Sequence, residues 1–174
     1  MKIAKFVPYD VANGPGIRMS IWVSGCRRHC PGCFNQEAQD FEYGTPVTDR
    51  MLDAVIVYSE SQNHDGFSFL GGEPFEKENE PMLCVIAQEI KKHRQSPTQD
   101  IWCWTGYTWE KLMDDCRRGH MHMLLRYIDV LVDGPFIEEK KDISLLWRGS
   151  SNQRIIDVRK SFEADRLVLY GSLK

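Results

Sequence analysis

Four short runs of β-branched and aromatic residues each stop at a glycine, and the stretches between them carry helical spacing. The runs are residues 18–25 (RMSIWVSG), 66–70 (GFSFL) running into Gly71-Gly72, 101–105 (IWCWT) before Gly106, and 127–132 (YIDVLV) before Asp133-Gly134. Residues 46–62 place Met51, Leu52, Val55 and Ile56 on one helical face behind a Thr48 cap. Residues 78–94 do the same with Met82, Leu83, Val85, Ile86 and Ile90, and 109–118 read as a helix after Thr108. This alternation predicts a mainly parallel sheet with right-handed crossovers. Residues 154–158 are expected as a fifth strand and 166–170 as a short final one. The 174 residues fall short of the roughly 250 of a complete eight-fold barrel. The expected fold is therefore α/β, an incomplete open (β/α) barrel or curved sheet, in one domain over residues 1–174.

The predicted strands end in Gly25-Cys26, Gly71-Gly72-Glu73-Pro74, Trp104-Thr105-Gly106 and Asp133-Gly134-Pro135. In parallel α/β folds, binding and catalysis collect at the C-terminal strand ends. The four clusters are thus expected on one rim. Any one of them taken alone is equally an ordinary strand-ending turn.

The chemistry is concentrated in Cys26-Arg27-Arg28-His29-Cys30-Pro31-Gly32-Cys33, a CxxxCxxC spacing. Residues 1–5 carry no apolar targeting core, and no stretch approaches the roughly 18 apolar residues of a membrane span. A cytoplasmic protein with no membrane partner is expected. In that reducing setting six cysteines point to metal ligands, catalytic thiols or core residues rather than disulfides. A formal net charge of -3 with mixed signs excludes the basic footprint of a nucleic-acid binder. The short basic runs at 91–94 and 117–118 sit where they complement helix C-termini.

Pro31 and Gly32 disfavour a helix, so the three thiols can converge from a turning loop. Soft thiolates select iron–sulfur clusters or zinc. A 4Fe-4S cluster takes four cysteines in its ordinary form, and three would leave one iron open for chemistry. Other readings stay open on spacing alone. Cys30-Pro31-Gly32-Cys33 is a CxxC of the dithiol kind. A structural zinc site could recruit His29, making the chain a non-catalytic interaction module. Three buried structural thiols would need a more apolar setting than Arg27, Arg28 and His29 provide. Cys84, Cys103 and Cys116 lie apart and read as core thiols.

With those residues in view, the chain resembles the radical S-adenosylmethionine enzymes, whose mark is CxxxCxxC after the first strand. Within them it is most similar to the activators of anaerobic (class III) ribonucleoside-triphosphate reductase. The likeness extends over Asn13-Gly14-Pro15-Gly16-Ile17-Arg18, Val23-Ser24-Gly25-Cys26, Cys30-Pro31-Gly32-Cys33-Phe34-Asn35, Gly71-Gly72-Glu73-Pro74, Trp104-Thr105-Gly106-Tyr107, residues 130–136 and residues 147–154. The last two segments and the short chain favour this family over activators of other glycyl-radical enzymes such as pyruvate formate-lyase.

The resemblance implies a radical SAM type of open barrel and a 4Fe-4S cluster on Cys26, Cys30 and Cys33. It implies S-adenosylmethionine chelated by the open iron and cleaved to a 5'-deoxyadenosyl radical. The target would be a glycine of the reductase's glycyl-radical subunit, and the electron donor flavodoxin- or ferredoxin-like. The backbone carbonyls of Gly71 and Gly72, with Glu73, suit a cationic amino group; Glu73 is otherwise a surface carboxylate. Gly32, Cys33 and Phe34 are expected past the adenine. Gly32 stands where many superfamily members carry an apolar residue, so adenine packing falls to another residue, with Phe34 a candidate. Asn35 and Asp133 are expected near the methionyl or ribose hydroxyls. Arg27, Arg28 and His29 are expected as solvated loop charges, and the segment 147–154 as a loop touching cofactor or reductase.

Overall fold

A computed structural model describes residues 1–171. The architecture is α/β, as expected, on one seven-stranded mixed sheet. The strands are β1 (Lys2–Asp10), β2 (Arg18–Val23), β3 (Thr45–Pro46), β4 (Gly66–Gly71), β5 (Asp100–Trp104), β6 (Val130–Asp133) and β7 (Arg154–Asp157), in the order β3-β1-β2-β4-β5-β6-β7. The central four, β2, β4, β5 and β6, are parallel. At the edges the pairing is antiparallel: β1 with β2, β3 with β1, and β7 with β6. Helices α1 (Asp49–Glu60), α2 (Glu80–His93), α3 (Trp109–Arg117) and α4 (Val158–Glu163) complete the fold. The Thr48 and Thr108 hydroxyls cap α1 and α3 by accepting from the Met51 and Lys111 amides.

The two faces of the sheet differ because side chains alternate along each strand. Met19, Ile21, Val23, Phe67, Phe69, Ile101, Cys103, Leu131 and Ile156 form one face, buried against Val55, Leu83, Ile86, Ile90, Leu112 and Val158 of the helices. The opposite face presents Arg18, Ser20 and Trp22 on β2, Ser68 on β4, and Trp102 and Trp104 on β5. There Trp102, Val130, Val132 and Ile155 make a smaller cluster with Trp104, Trp147 and Tyr170 packed against it.

Three expectations need correcting. Residues 127–129 are not strand: Met123–Arg126 is a 3-10 turn, and the Asp129 carboxylate accepts from the Ile101 amide and from Lys91. Residues 166–170 form no strand, only an isolated bridge between Ile156 and Leu169. The predicted strands also omit β1. Its Pro8 and two register shifts against β2 break the alternation that marks a strand.

No helix among the described residues is long and apolar enough to cross a membrane. The basic runs end helices as expected, with Lys91, Lys92 and His93 in the last turn of α2 and Arg117 in that of α3.

Candidate active site

A cavity of about 360 Å³ opens at the C-terminal ends of the parallel strands. Cys26, Cys30, Cys33, Phe34, Gly71, Gly72 and Glu73 line it, together with Trp104, Thr105, Gly106 and Gly134. The strand-end clusters therefore do share one rim.

The cysteine loop is anchored at both ends before any metal is considered. Gly25 and Cys26 donate backbone hydrogen bonds to Ala38 and Gln39 at 2.8 and 3.0 Å, which closes the loop on itself. Gly72 donates to Val23, and Glu73 to Gly25, which joins the loop to the Gly-Gly-Glu turn. The Asn79 side-chain amide donates to the Ser24 carbonyl at 2.9 Å and to the Glu73 carbonyl at 3.0 Å, bracing both segments from below. The two glycines are required by these contacts. A Cβ on Gly71, at φ +114°, would stand 2.3 Å from the Val23 carbonyl oxygen, and one on Gly72 would stand 2.4 Å from that of Gly25. Protein backbone, and not only a ligand, fills the space that a side chain there would need.

Glu73 is no surface carboxylate: it is 1% exposed. Its Oε1 accepts from the Thr105 hydroxyl (2.7 Å) and the Phe75 amide (3.1 Å), and its Oε2 from the Gly106 amide (2.8 Å). Burial pushes its pKa up to about 7, against the lowering pull of those donors and of Arg28. Glu73 thus ties the end of β4 to the end of β5 and puts an ionisable group in the cavity wall.

Cys26, Cys30 and Cys33 are half-buried and free. Burial pushes the Cys26 thiol up to about 11, with Glu73, Cys30 and Glu76 adding negative potential. His29 is exposed, meets Gln39 Oε1 at 2.9 Å through Nδ1, and does not line the cavity. The Cys30–Cys33 segment is a turn with no helix N-terminus behind it, unlike a dithiol redox motif.

Other expected site residues lie elsewhere. Gly32 is exposed at φ +67° outside the cavity lining, and Asn35 does not line it either. Phe34 does, 80% exposed and edge-on to Trp22. Asp133 is fully buried in the scaffold. Its carboxylate accepts from the Trp109 amide at the start of α3 (2.7 Å) and from Arg154, which also grips Glu110. Of the loop charges, Arg27 pairs with Glu76 and Glu78 beside the loop. Arg28 turns inward, over the Tyr107 ring at 4.9 Å and into the cavity wall.

The sequence reading missed Asn13, Trp22 and Arg28 as lining residues. Period-two alternation from Arg18 places Trp22 on the face opposite the helices, the signal that could have found it. The segment 147–154 reaches the cavity through Trp147, Arg148, Gly149 and Gln153. Gln153 holds it there, donating to the Gly134 carbonyl and accepting from the Gly149 amide.

A family model described as "4Fe-4S single cluster domain" matches residues 12–156. A protein of Escherichia coli K12 named anaerobic ribonucleoside-triphosphate reductase-activating protein is 38% identical over 161 residues, 91% of this chain and all of that protein. The chain belongs to the anaerobic ribonucleoside-triphosphate reductase-activating protein family. The member from Vibrio cholerae is 41% identical over 89% of this chain and 97% of its own length. The member from phage T4 is 32% identical over 89% and 93%. Membership makes this a 4Fe-4S protein, and the matched span contains every rim segment described above.

Proposed function

We propose that the chain activates anaerobic ribonucleoside-triphosphate reductase by cleaving S-adenosylmethionine at a 4Fe-4S cluster held by Cys26, Cys30 and Cys33. The observation that carries this reading is the convergence of three half-buried thiols on a cavity whose opposite wall is the Gly71-Gly72-Glu73 turn. Three soft ligands on one cavity fit an iron–sulfur cluster with one iron left for substrate. When bound, the cluster would supply the electron that breaks a carbon–sulfur bond of S-adenosylmethionine, and the resulting 5'-deoxyadenosyl radical would take a hydrogen atom from a glycine of the reductase.

The chain's own residues have distinct tasks in this reading. Glu73, ionised, offers negative charge to the cationic amino group of the ligand. Trp22, Arg28 and Arg148 line the cavity, and their Nε1 or Nε atoms are buried donors without a hydrogen-bond partner among the described residues. Donors of this kind suit the carboxylate and hydroxyls of the same ligand. Phe34 offers its ring to adenine in place of a side chain at Gly32, with Asn35 beyond it. Asp133 orders α3 and the rim without touching the ligand. The seven-stranded sheet is read as the open barrel of the radical SAM type, in one domain. The electron comes from a flavodoxin- or ferredoxin-like donor in the cytoplasm.

The test is anaerobic reconstitution with iron and sulfide, chemical reduction, and addition of S-adenosylmethionine. 5'-Deoxyadenosine is the expected product, with a glycyl radical when the reductase is added. Cys26→Ala, Cys30→Ala or Cys33→Ala should each abolish both signals, and Cys84→Ala should leave them. Cluster-loaded protein that yields no 5'-deoxyadenosine overturns the proposal.

A further inference from the structure

Helix α3 ends at Arg117, Gly119 follows at φ +92°, and the chain runs on through His120-Met121-His122 outside any helix or strand. The segment packs against Glu80, the first residue of α2. One donor atom from each of Glu80, His120 and His122 lies within 4.8 Å of the other two. Glu80 and His122 are buried and His120 is exposed.

The Glu80 carboxylate is fixed on both oxygens. Oε1 accepts from the Leu124 amide at 3.1 Å, and Oε2 stands 3.1 Å from His122 Nδ1. That oxygen–nitrogen distance is close to the edge of a tetrahedron with bonds of about 2.0–2.1 Å, roughly 3.3 Å. A cation can therefore replace the shared proton with little movement of either group. The His120 and His122 rings are 4.9 Å apart and nearly perpendicular, and the exposed His120 can turn without disturbing the core.

A second observation comes from the other ring nitrogen. His122 Nε2 is buried without a hydrogen-bond partner among the described residues, and stands 3.6 Å from Asp115 Oδ2. A metal-bound imidazole ordinarily donates its remaining N–H to a carboxylate, which orients the ring and raises its basicity. Asp115 stands in that place, itself held by Lys111. Phe75 meets the His122 ring edge-on at 5.4 Å and shields it from the cavity side.

We propose that Glu80, His120 and His122 form a site for one divalent transition cation of the zinc type, with Asp115 as the carboxylate behind His122. Two imidazoles and a carboxylate suit such an ion, and the exposed His120 side is its way in. Binding displaces the proton between Glu80 and His122 and clasps the 120–124 segment to the first turn of α2. The site uses no cysteine and is independent of the cluster.

Untagged full-length chain carrying Cys26→Ser, Cys30→Ser and Cys33→Ser is titrated with cobalt(II). One equivalent should bind with ligand-field bands of nitrogen and oxygen ligation and no sulfur charge-transfer band. In parallel, cluster-loaded wild-type chain is dialysed against zinc and should retain one zinc per chain beyond its iron. His120→Ala should weaken both by at least about tenfold with the fold intact, since that side chain is exposed. His122→Gln should do the same. The proposal is overturned if the wild-type chain retains no zinc beyond its iron, or if retention survives both His120→Ala and His122→Gln. In either case His122 is a protonated bridge between Glu80 and Asp115 and nothing more.

Discussion

At the start of β2, the Arg18 guanidinium is wholly buried and donates to Ser68 Oγ, to the carbonyls of Pro15, Phe67 and Asp100, and to the Asp100 carboxylate. Seven residues later, past the end of the same strand, come Gly25 and Cys26, beside a cavity whose walls hold donors on Trp22, Arg28 and Arg148 without partners among the described residues. At the first end Arg18 has its donors satisfied and joins β2, β4 and β5. The second leaves polar groups and thiols in reserve. Stability and chemistry are thus placed at opposite ends of the same strands, so one can be altered with limited harm to the other.

That contrast can be broken most forcefully at Arg18. Arg18→Ala takes the cation from Asp100 and the donor from the Phe67 and Asp100 carbonyls, opens a cavity, and should cost about 3–5 kcal/mol in urea unfolding. A loss below about 1 kcal/mol would mean the saturated end carries no special share of stability. At the opposite end, Glu73 gives a pH signature. Its folded pKa of about 7 lies above its ordinary 4.5, so the folded state holds the proton more tightly. The resulting stabilisation is complete below pH 4.5 and is lost as pH rises to about 7. The stability difference between wild type and Glu73→Gln should therefore fall over that window, by on the order of 3 kcal/mol, and stay flat above it. A difference that does not vary with pH would remove Glu73 as the titrating group. A smaller effect is expected at Gly72→Ala, whose Cβ meets the carbonyl oxygens of Gly25 and Ala38 at 2.4 and 2.7 Å. Backbone must give way, at about 1–3 kcal/mol. Iron incorporation should drop with it, which denaturation and iron assays read separately.

The parallel strands and their helices were legible because each carries its own pattern: branched runs ending in glycine, threonine caps, one apolar face per helix. The cysteine motif and the Gly-Gly-Glu turn were legible because few arrangements tolerate those residues together. Strand β1 was not, since Pro8 and two bulges erase the alternation, and its pairing is fixed by β2 rather than by its own residues. Asp133 looked like a ligand contact because it ends a strand on the rim. Its partners, the Trp109 amide and Arg154, lie 24 and 21 residues away along the chain, beyond the reach of local spacing. Arg28 was misjudged for the same reason: only the folded position of Tyr107 draws it inward.

Asn79 adds a constraint on the order of events. Its single amide group grips the carbonyls of Ser24 and Glu73, and it stands at the threshold of α2. Those grips are made of light atoms alone. The approach to Cys26 and the turn facing it are therefore set by the polypeptide before iron arrives, and the conformational entropy left for assembly to remove is confined to the loop between Arg27 and Phe34. Maturation becomes the ordering of one short loop on a finished surface, so the iron-free chain should remain a competent acceptor and not a misfolded by-product.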